Sequence, residues 1–289
     1  MSVTAQVNYH VKRPEQQAYI IDAGGVAGKL VSPVQDRATV SVSDMRGLEN
    51  TLRFETDGLA FLRKPSRVVE FDDSGDWKGA YDCELTELLK SEVGARDVVI
   101  FDHTVRIDDP KSGRKPARNV HSDYSEAGAH QRLKDLLGQE RAAEWEEEHF
   151  GFINIWRPVR HPIASAPLGF IRSQTVRHDD WIMLDLIYPD RTGQIMGLVH
   201  GQDHEWIYLS GMTPEEIAVF NIYDNKGLAS IAHSAIDLVE TPDTEHSSDT
   251  EQNAGFASRK GGLACLRVSK IRTLNRSIPV STPSSGRTA

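Results

Sequence analysis

Short apolar segments recur at close intervals through the second half of this 289-residue chain. They are rich in β-branched and aromatic residues, turn-forming residues bound them, and only brief helical patterns lie between them. This spacing predicts a mainly β fold with peripheral helices, a sandwich or barrel of jelly-roll type rather than a parallel α/β sheet. The predicted strands cover residues 152–158, 181–188, 194–200, 206–209, 219–223, 231–238 and 263–274.

The remaining elements are predicted from local patterns. Residues 76–93 repeat apolar side chains at helical spacing, a strand pattern follows at 97–107, and a second helix is predicted to begin at Ser125. Residues 53–62 alternate around an Asp-Gly pair, which predicts a β-hairpin. Residues 213–216 carry the capping-box pattern with proline at the first helical position, which predicts a short helix.

Composition and charge exclude several classes of protein. The net charge of -9 argues against a nucleic-acid partner, which needs clustered basic residues. Two cysteines, Cys83 and Cys265, indicate neither a disulfide framework nor a cysteine-based zinc site. No apolar signal region is visible at the N-terminus, and no run approaches the ~18 apolar residues that a membrane helix requires. The sequence therefore predicts a cytoplasmic protein with no membrane partner.

The domain organisation is predicted to be simple. Residues 1–275 are expected to form one jelly-roll domain with N-terminal helical and hairpin additions. Residues 241–258 are polar and predict a mobile loop, and residues 276–289 predict a disordered tail. The sequence leaves a homodimer open.

A His-x-Asp motif is the clearest candidate for chemistry. His121 and Asp123 lie in a segment that is predicted to be extended. Side chains two residues apart on a strand point to the same face, so these two are ready-made ligands for one metal. A second histidine from elsewhere would complete the 2-His-1-carboxylate facial triad of non-haem Fe(II) oxygenases.

Eleven histidines compete for the place of third ligand. His10, His149 and His246 have polar neighbours and are predicted at the surface. His103 lies on the strand before the motif, where it is predicted as a second-shell or pocket residue. His233 lies on a late strand, the region from which jelly-roll oxygenases draw their last histidine. His233 is therefore the best positional candidate.

A 2-oxo acid co-substrate would need its own anchor. Such an acid chelates iron through its keto and adjacent carboxylate oxygens, and its far carboxylate calls for a bidentate cation, for which arginine suits better than lysine. Arg267 and Ser269 form an Arg-x-Ser pattern on an apolar strand, which places both on one face. Arg259 is a further candidate. From the residues alone, an edge-strand arginine in solvent is equally consistent with the pattern.

Several segments together resemble a family of non-haem iron hydroxylase/desaturases of fungal and bacterial secondary metabolism. The family includes the aspergillic-acid hydroxylase/desaturase, gibberellin-type desaturases and the cephalosporin methoxylase-associated protein. The segments follow the family's order and cover about residues 50 to 275. They are FDHTVR (101–106), VHSDYS (120–125), NIWRP (154–158), APL (166–168), WIY (206–208), MTPEE (212–216), YDNK (223–226) and AHSA (232–235).

The resemblance implies a double-stranded β-helix core of cupin-like type that uses Fe(II), with 2-oxoglutarate and O₂ as co-substrates. It places the iron on His121, Asp123 and His233. The family's Arg-x-Ser-Ile-Glu-x-Arg segment after the last histidine has no clear match here. Arg267 is favoured as the co-substrate anchor because it keeps register with the strand, and Arg259 is second.

Two further groups are assigned to the pocket only as hypotheses. Arg157, in the Trp-Arg-Pro segment, is a third basic group that would hold a substrate or co-substrate carboxylate if it faces the pocket, and a barrel-rim ion pair is the alternative. Tyr124 and Trp156 are aromatic residues that would line the pocket, although aromatic residues in such segments more often belong to the core.

The sequence thus predicts an Fe(II)/2-oxoglutarate-dependent dioxygenase. Its reaction would be hydroxylation, desaturation or oxidative cyclisation of a small secondary metabolite derived from an amino acid, peptide, polyketide or terpenoid. Two alternatives use the same barrel: a metal-dependent hydrolase or lyase that holds zinc or another metal, and a non-catalytic accessory protein. The motifs decide neither the substrate nor the outcome of the oxidation.

Overall fold

The computed structural model describes residues 1–25, 29–72, 74–109, 111–112, 114–239 and 264–274, the last segment by its backbone. The loop predicted at 241–258 and the tail predicted at 276–289 therefore lie outside the described residues. The strands are β1 (Ser2–His10), β2 (Gln17–Ile20), β3 (Gln35–Asp44), β4 (Leu59–Arg63), β5 (Ala95–Ile107), β6 (His121–Ser122), β7 (Phe150–Val159), β8 (Leu168–Ile171), β9 (Trp181–Ile187), β10 (Thr192–Leu198), β11 (Trp206–Tyr208), β12 (Glu216–Asp224), β13 (His233–Ala235), β14 (Asp237–Leu238) and β15 (Ala264–Leu274).

Two β-sheets pack face to face. The large sheet has the strand order β14-β1-β3-β11-β8-β13-β6-β10-β9-β2, and the small sheet has the order β4-β12-β7-β15-β5. Phe170 of β8 meets Phe220 of β12 at 5.1 Å and Phe61 of β4 at 5.7 Å between ring centroids. These rings join the inner faces of the two sheets into one apolar core. The predicted mainly β, jelly-roll fold is confirmed.

Four α-helices in the described part of the chain pack against the sheets. They are α1 (Phe54–Asp57), α2 (Lys78–Glu92), α3 (Glu126–Leu137) and α4 (Gln139–Glu147). The helix α2 packs on the outer face of the small sheet, and α3 and α4 pack against the core between the two sheets. In α2, Tyr81, Leu85 and Leu89 recur at helical spacing and are buried against the outer face of the small sheet, where Ile153 of β7 also packs. No helix among the described residues is long and apolar enough to cross a membrane.

The large sheet turns back on itself and encloses a second apolar core. Isolated bridges join Asn8 of β1 to Asn119 and His10 to Val199, which brings β1 beside the segments of β6 and β10. Buried side chains fill the space that this closure creates. They are Ala5, Val7, Tyr9, Val42, Val120, Ile171, Leu198, Trp206, Tyr208, Ala232 and Ile236. The first strand of the chain is thus part of the core.

Two predicted elements take another form. Residues 53–62 do not form a hairpin: α1 makes one helical turn, which Gly58 ends with a left-handed φ of 68°, and β4 follows. The capping contact at 213–216 does form, because the Glu216 carboxylate accepts a hydrogen bond from the Thr213 amide at 2.8 Å. No helix follows it, because the chain enters β12 at once and pairs with β4 and β7.

Leu85 provides a test of the outer core. We expect Leu85→Ala to lower the free energy of unfolding by about 2–5 kcal/mol, since the side chain is fully buried between α2 and the small sheet and its removal leaves a cavity. Leu48→Ala is the matched control, because Leu48 is 51% exposed and its loss is expected to cost less than about 0.5 kcal/mol. Urea unfolding measures both, and equal losses would contradict this packing.

Candidate metal centre

Two neighbouring strands bring the two candidate histidines together. β6 and β13 pair antiparallel, and His121 stands directly opposite His233 in their register. Residues directly opposite in an antiparallel pair share a face of the sheet. Asp123 lies two residues beyond His121, so its side chain returns to that face. The three positions predicted from the sequence therefore meet at one place.

The geometry of the three side chains is compact. One potential ligand atom from each of His121, Asp123 and His233 lies within 4.8 Å of the others. The imidazole centroids are 4.5 Å apart, and Nε2 of His121 is 3.5 Å from Oδ1 of Asp123. All three residues are buried, with exposed fractions of 6%, 8% and 3%. A single metal ion fits the centre of such a group.

Backbone carbonyls set the orientation of both imidazoles. Nδ1 of His121 lies 2.7 Å from the carbonyl of Asn119, and Nδ1 of His233 lies 3.1 Å from the carbonyl of Ile231. A carbonyl oxygen only accepts hydrogen bonds, so in each ring Nδ1 carries the donated hydrogen. In the neutral rings Nε2 then keeps its lone pair, which is the form that binds a metal.

An amide on the small sheet orients the carboxylate. Nδ2 of Asn154, on β7, donates to Oδ2 of Asp123 at 2.5 Å. This contact leaves Oδ1, the oxygen nearer to His121, turned towards the histidine pair. Asn154 was part of a recognised segment, but its role was not predicted, because nothing in the sequence shows that β7 lies above β6.

His121 and His233 line a mostly apolar cavity beside the candidate metal centre. Trp156 lines the cavity, as predicted, whereas Tyr124 packs against Phe152 at 4.7 Å and is not part of the lining. Arg106 of β5 also lines it and was not singled out from the sequence. The lining residues are Arg106, Pro116, Ala117, His121, Trp156, Ala166, Leu168, Phe220, His233 and Ala235.

Arg157 lies on the other side of the small sheet. It follows Trp156 on β7, and alternation turns its side chain to the face that α2 covers. Its buried guanidinium donates to the Tyr81 hydroxyl at 2.8 Å and to the carbonyls of Pro214 at 2.8 Å and Lys64 at 2.9 Å. These contacts are structural, which corrects the expectation that Arg157 faces the pocket.

Of the other two arginines proposed from the sequence, the structure describes the backbone position of Arg267. Arg267 stands opposite Trp156 of β7 and Thr104 of β5 in the register of β15, and Ser269 stands opposite Asn154. Their positions therefore share the cavity face of the small sheet. Arg259 lies outside the described residues.

Two histidines differ from their predicted environments. His10 was predicted at the surface, but only 2% of it is exposed, because the missing side chain of Gly197 makes room for the ring. Burial disfavours the charged form and lowers the pKa of His10 to about 4, with a smaller effect from the charge of His121. His103 faces α2, where its Nε2 contacts Asp82 at 2.7 Å. It is not a pocket residue.

The fold and the site define a class of protein. A jelly roll that carries two histidines and one carboxylate on the inner face of paired strands, beside a mostly apolar cavity, is typical of non-haem metal oxygenases. The family model described as "Oxidoreductase/YMDC permease-like domain" matches residues 7–250. The chain belongs to this oxidoreductase family.

Relatives of similar sequence include a hydroxylase/desaturase and an alpha-ketoglutarate-dependent dioxygenase. The chain is 30% identical over 229 residues to the hydroxylase/desaturase CTB9 of Cercospora beticola, with 70% of each chain covered. It is 27% identical over 256 residues to the alpha-ketoglutarate-dependent dioxygenase phiK of a fungal species, with 83% of this chain and 91% of the relative covered. The predicted resemblance to iron- and 2-oxoglutarate-dependent hydroxylase/desaturases is confirmed.

Solved structures agree with this fold. The iron and alpha-ketoglutarate-dependent endoperoxidase NvfI superposes with a TM-score of 0.76 at 20% sequence identity, covering 95% of this chain and 99% of the NvfI chain. At this level of sequence identity the similarity supports the fold alone.

Arg157→Met tests whether this arginine is structural. We expect a loss of about 2–4 kcal/mol in the free energy of unfolding, because buried acceptors on Tyr81, Pro214 and Lys64 lose their donor. The dissociation constant for 2-oxoglutarate, measured by calorimetry with Fe(II) present, should stay within about twofold of the parental value. Arg191→Met, at an exposed arginine, is the control for stability. A stable variant that binds 2-oxoglutarate weakly would contradict the assignment.

Proposed function

We propose that this chain is an Fe(II)/2-oxoglutarate-dependent dioxygenase in which His121, Asp123 and His233 bind the iron. The observation that carries the proposal is the convergence of their ligand atoms within 4.8 Å at a buried site beside a cavity. Two neutral imidazole nitrogens and one carboxylate oxygen form the donor set of a 2-His-1-carboxylate centre, which leaves coordination positions open for a co-substrate and O₂. The donor set therefore fits Fe(II).

The cavity lining favours an oxygenase over a zinc hydrolase or lyase. A hydrolytic zinc site uses an activated water and usually a general base beside it. Among the described residues that line the cavity, no side chain other than the two histidines is a candidate base, and Asp123 is engaged by Asn154. Trp156, Leu168 and Phe220 instead form walls that suit a reaction at unactivated carbon.

The protein's own contribution is orientation and exclusion of water. Bound Fe(II) would supply oxidation of the substrate by O₂, coupled to decarboxylation of 2-oxoglutarate to succinate and CO₂. The carbonyls of Asn119 and Ile231 hold the imidazoles, and Asn154 holds the carboxylate. The apolar walls keep bulk water from the reacting centre and position the substrate.

The far carboxylate of 2-oxoglutarate is assigned to Arg267, with Ser269 beside it. The register of β15 supports this assignment. Position 267 lies opposite Trp156, which lines the cavity, and position 269 lies opposite Asn154, which donates to Asp123. A guanidinium matches a carboxylate bidentately, and a hydroxyl adds one hydrogen bond. Arg259 stays the second candidate.

The remaining features of the function follow from the family. The substrate is a small secondary metabolite, and the reaction is hydroxylation, desaturation or oxidative cyclisation. Residues 1–275 are proposed to act as one domain, which is supported by the pairing of β15 between β5 and β7 and of β14 with β1. A cytoplasmic location and a homodimer stay predictions, and light scattering of the purified protein tests the second.

His121→Ala tests the proposed metal centre. We expect the affinity for Fe(II) to fall by at least about 100-fold and 2-oxoglutarate consumption to stop, because one of three ligands is lost. Anaerobic calorimetry measures binding, and circular dichroism checks the fold. His178→Ala is the control, because His178 is fully exposed. If the His121 variant consumed 2-oxoglutarate at the parental rate, the proposal would fail.

Arg267→Gln tests the co-substrate anchor. We expect the KM for 2-oxoglutarate to rise at least about tenfold, because a charge-assisted bidentate contact is lost, while Fe(II) affinity is kept. Arg272→Gln is the matched control on the same strand, because position 272 lies opposite Gly151, in the alternate register to position 267. An unchanged KM in the Arg267 variant would move the role to Arg259.

A further inference from the structure

Arg106 brings a full positive charge to the wall of the proposed iron cavity. It lies near the end of β5, and its Nη1 donates to the carbonyl of Lys115 at 2.8 Å. That bond ties the guanidinium to the segment that supplies Pro116 and Ala117 to the same wall. Among the described residues that line the cavity, every other member is apolar or belongs to the histidine pair. Arg106 is thus the cationic side chain that the described part of the lining presents to a bound molecule.

The segment that carries this wall is fixed in place. The amide of Ala235, on β13, donates to the carbonyl of Ala117 at 2.8 Å. Arg118 bridges two carboxylates, with Nη2 at 2.9 Å from Asp108 and Nε at 2.8 Å from Asp237. The segment to which the Arg106 guanidinium donates is therefore held beside β13, the strand that carries His233.

The net charge of the proposed centre explains why an anionic substrate would need a cation in this wall. Fe(II), the Asp123 carboxylate and the 2-oxoglutarate dianion together carry one net negative charge, which Arg267 would balance. A substrate that brings a further anionic group into mostly apolar walls needs a cation there, since an unpaired charge is costly in such surroundings. A guanidinium offers a carboxylate two parallel hydrogen bonds, which fixes orientation as well as position.

We infer that Arg106 anchors the substrate, and that the substrate class is an apolar molecule bearing a carboxylate. Its apolar body lies against Trp156, Leu168 and Phe220, and its carboxylate pairs with the guanidinium. The pairing holds one end of the molecule, so that the carbon presented to the iron is set by its distance from the acid group. This inference rests on the proposed function, because it assumes that the cavity holds the iron and the co-substrate.

A matched pair of probes tests the inference under anaerobic conditions. The protein is loaded with Fe(II) and saturating 2-oxoglutarate, whose chelate gives a visible charge-transfer band, and is titrated with 2-naphthoate or the isosteric, uncharged 2-naphthamide. We expect the parental protein to bind the acid at least about tenfold more tightly than the amide, and Arg106→Gln to reduce that ratio below about threefold, because a charge-assisted contact is lost. The band and the dissociation constant for 2-oxoglutarate should stay unchanged in the variant.

Two further variants control the result. Arg106→Lys should keep part of the preference for the acid, since it keeps the charge but not the bidentate geometry. Arg114→Gln, at an exposed position in the adjoining segment, should keep all of it. Equal binding of acid and amide by the parental protein, an unchanged ratio in Arg106→Gln, or weaker binding of 2-oxoglutarate in that variant would each overturn the inference. Absence of the band in the parental protein would instead contradict the proposed function itself.

Discussion

The pairing of His121 with His233 across β6 and β13 is the contact on which the candidate site depends. Side chains alternate along a strand, so a slip of one residue in either strand would turn an imidazole to the opposite face of the sheet. Packing on both flanks opposes such a slip. Phe170 stands opposite His233 and belongs to the core between the sheets, and Gly197 stands opposite His121, where a Cβ would come within 2.6 Å of His10. The geometry of the candidate metal centre is therefore maintained by the same contacts that maintain the fold.

Local periodicity predicted the parts of the site that lie within one segment. The period of two placed His121 and Asp123 on one face, and the late strand that carries His233 was recognised from its apolar pattern. That these strands are neighbours is a property of the topology, which no local pattern contains. The resemblance to a known family supplied it, and the structure gives its basis, since β13 lies between β6 and β8 in the large sheet.

Contacts between distant segments account for most of what the sequence did not show. Asn154 orients Asp123 only because β7 crosses above β6, and Arg106 reaches the cavity only because β5 ends beside it. The strand β1 was missed for a different reason. Its apolar residues do alternate with polar ones, but the segment is short of strongly hydrophobic side chains, and its burial comes from closure of the sheet. At residues 213–216 the predicted capping contact forms, but the chain continues into β12 and pairs with β4 and β7 instead of forming a helix.

Side chains alternate along β7, so one face of this strand contributes to the candidate site and the other packs against α2. All its residues are buried, because each of its faces packs against a different layer. Asn154 and Trp156 face the large sheet and the cavity, whereas Ile155 and Arg157 face α2. The contacts on the α2 side prevent the strand from shifting along its axis, and a shift of one residue would replace the amide at Asp123 with an aliphatic side chain. An arginine that touches neither metal nor substrate thus contributes to the orientation of the carboxylate, since it fixes the strand that carries Asn154.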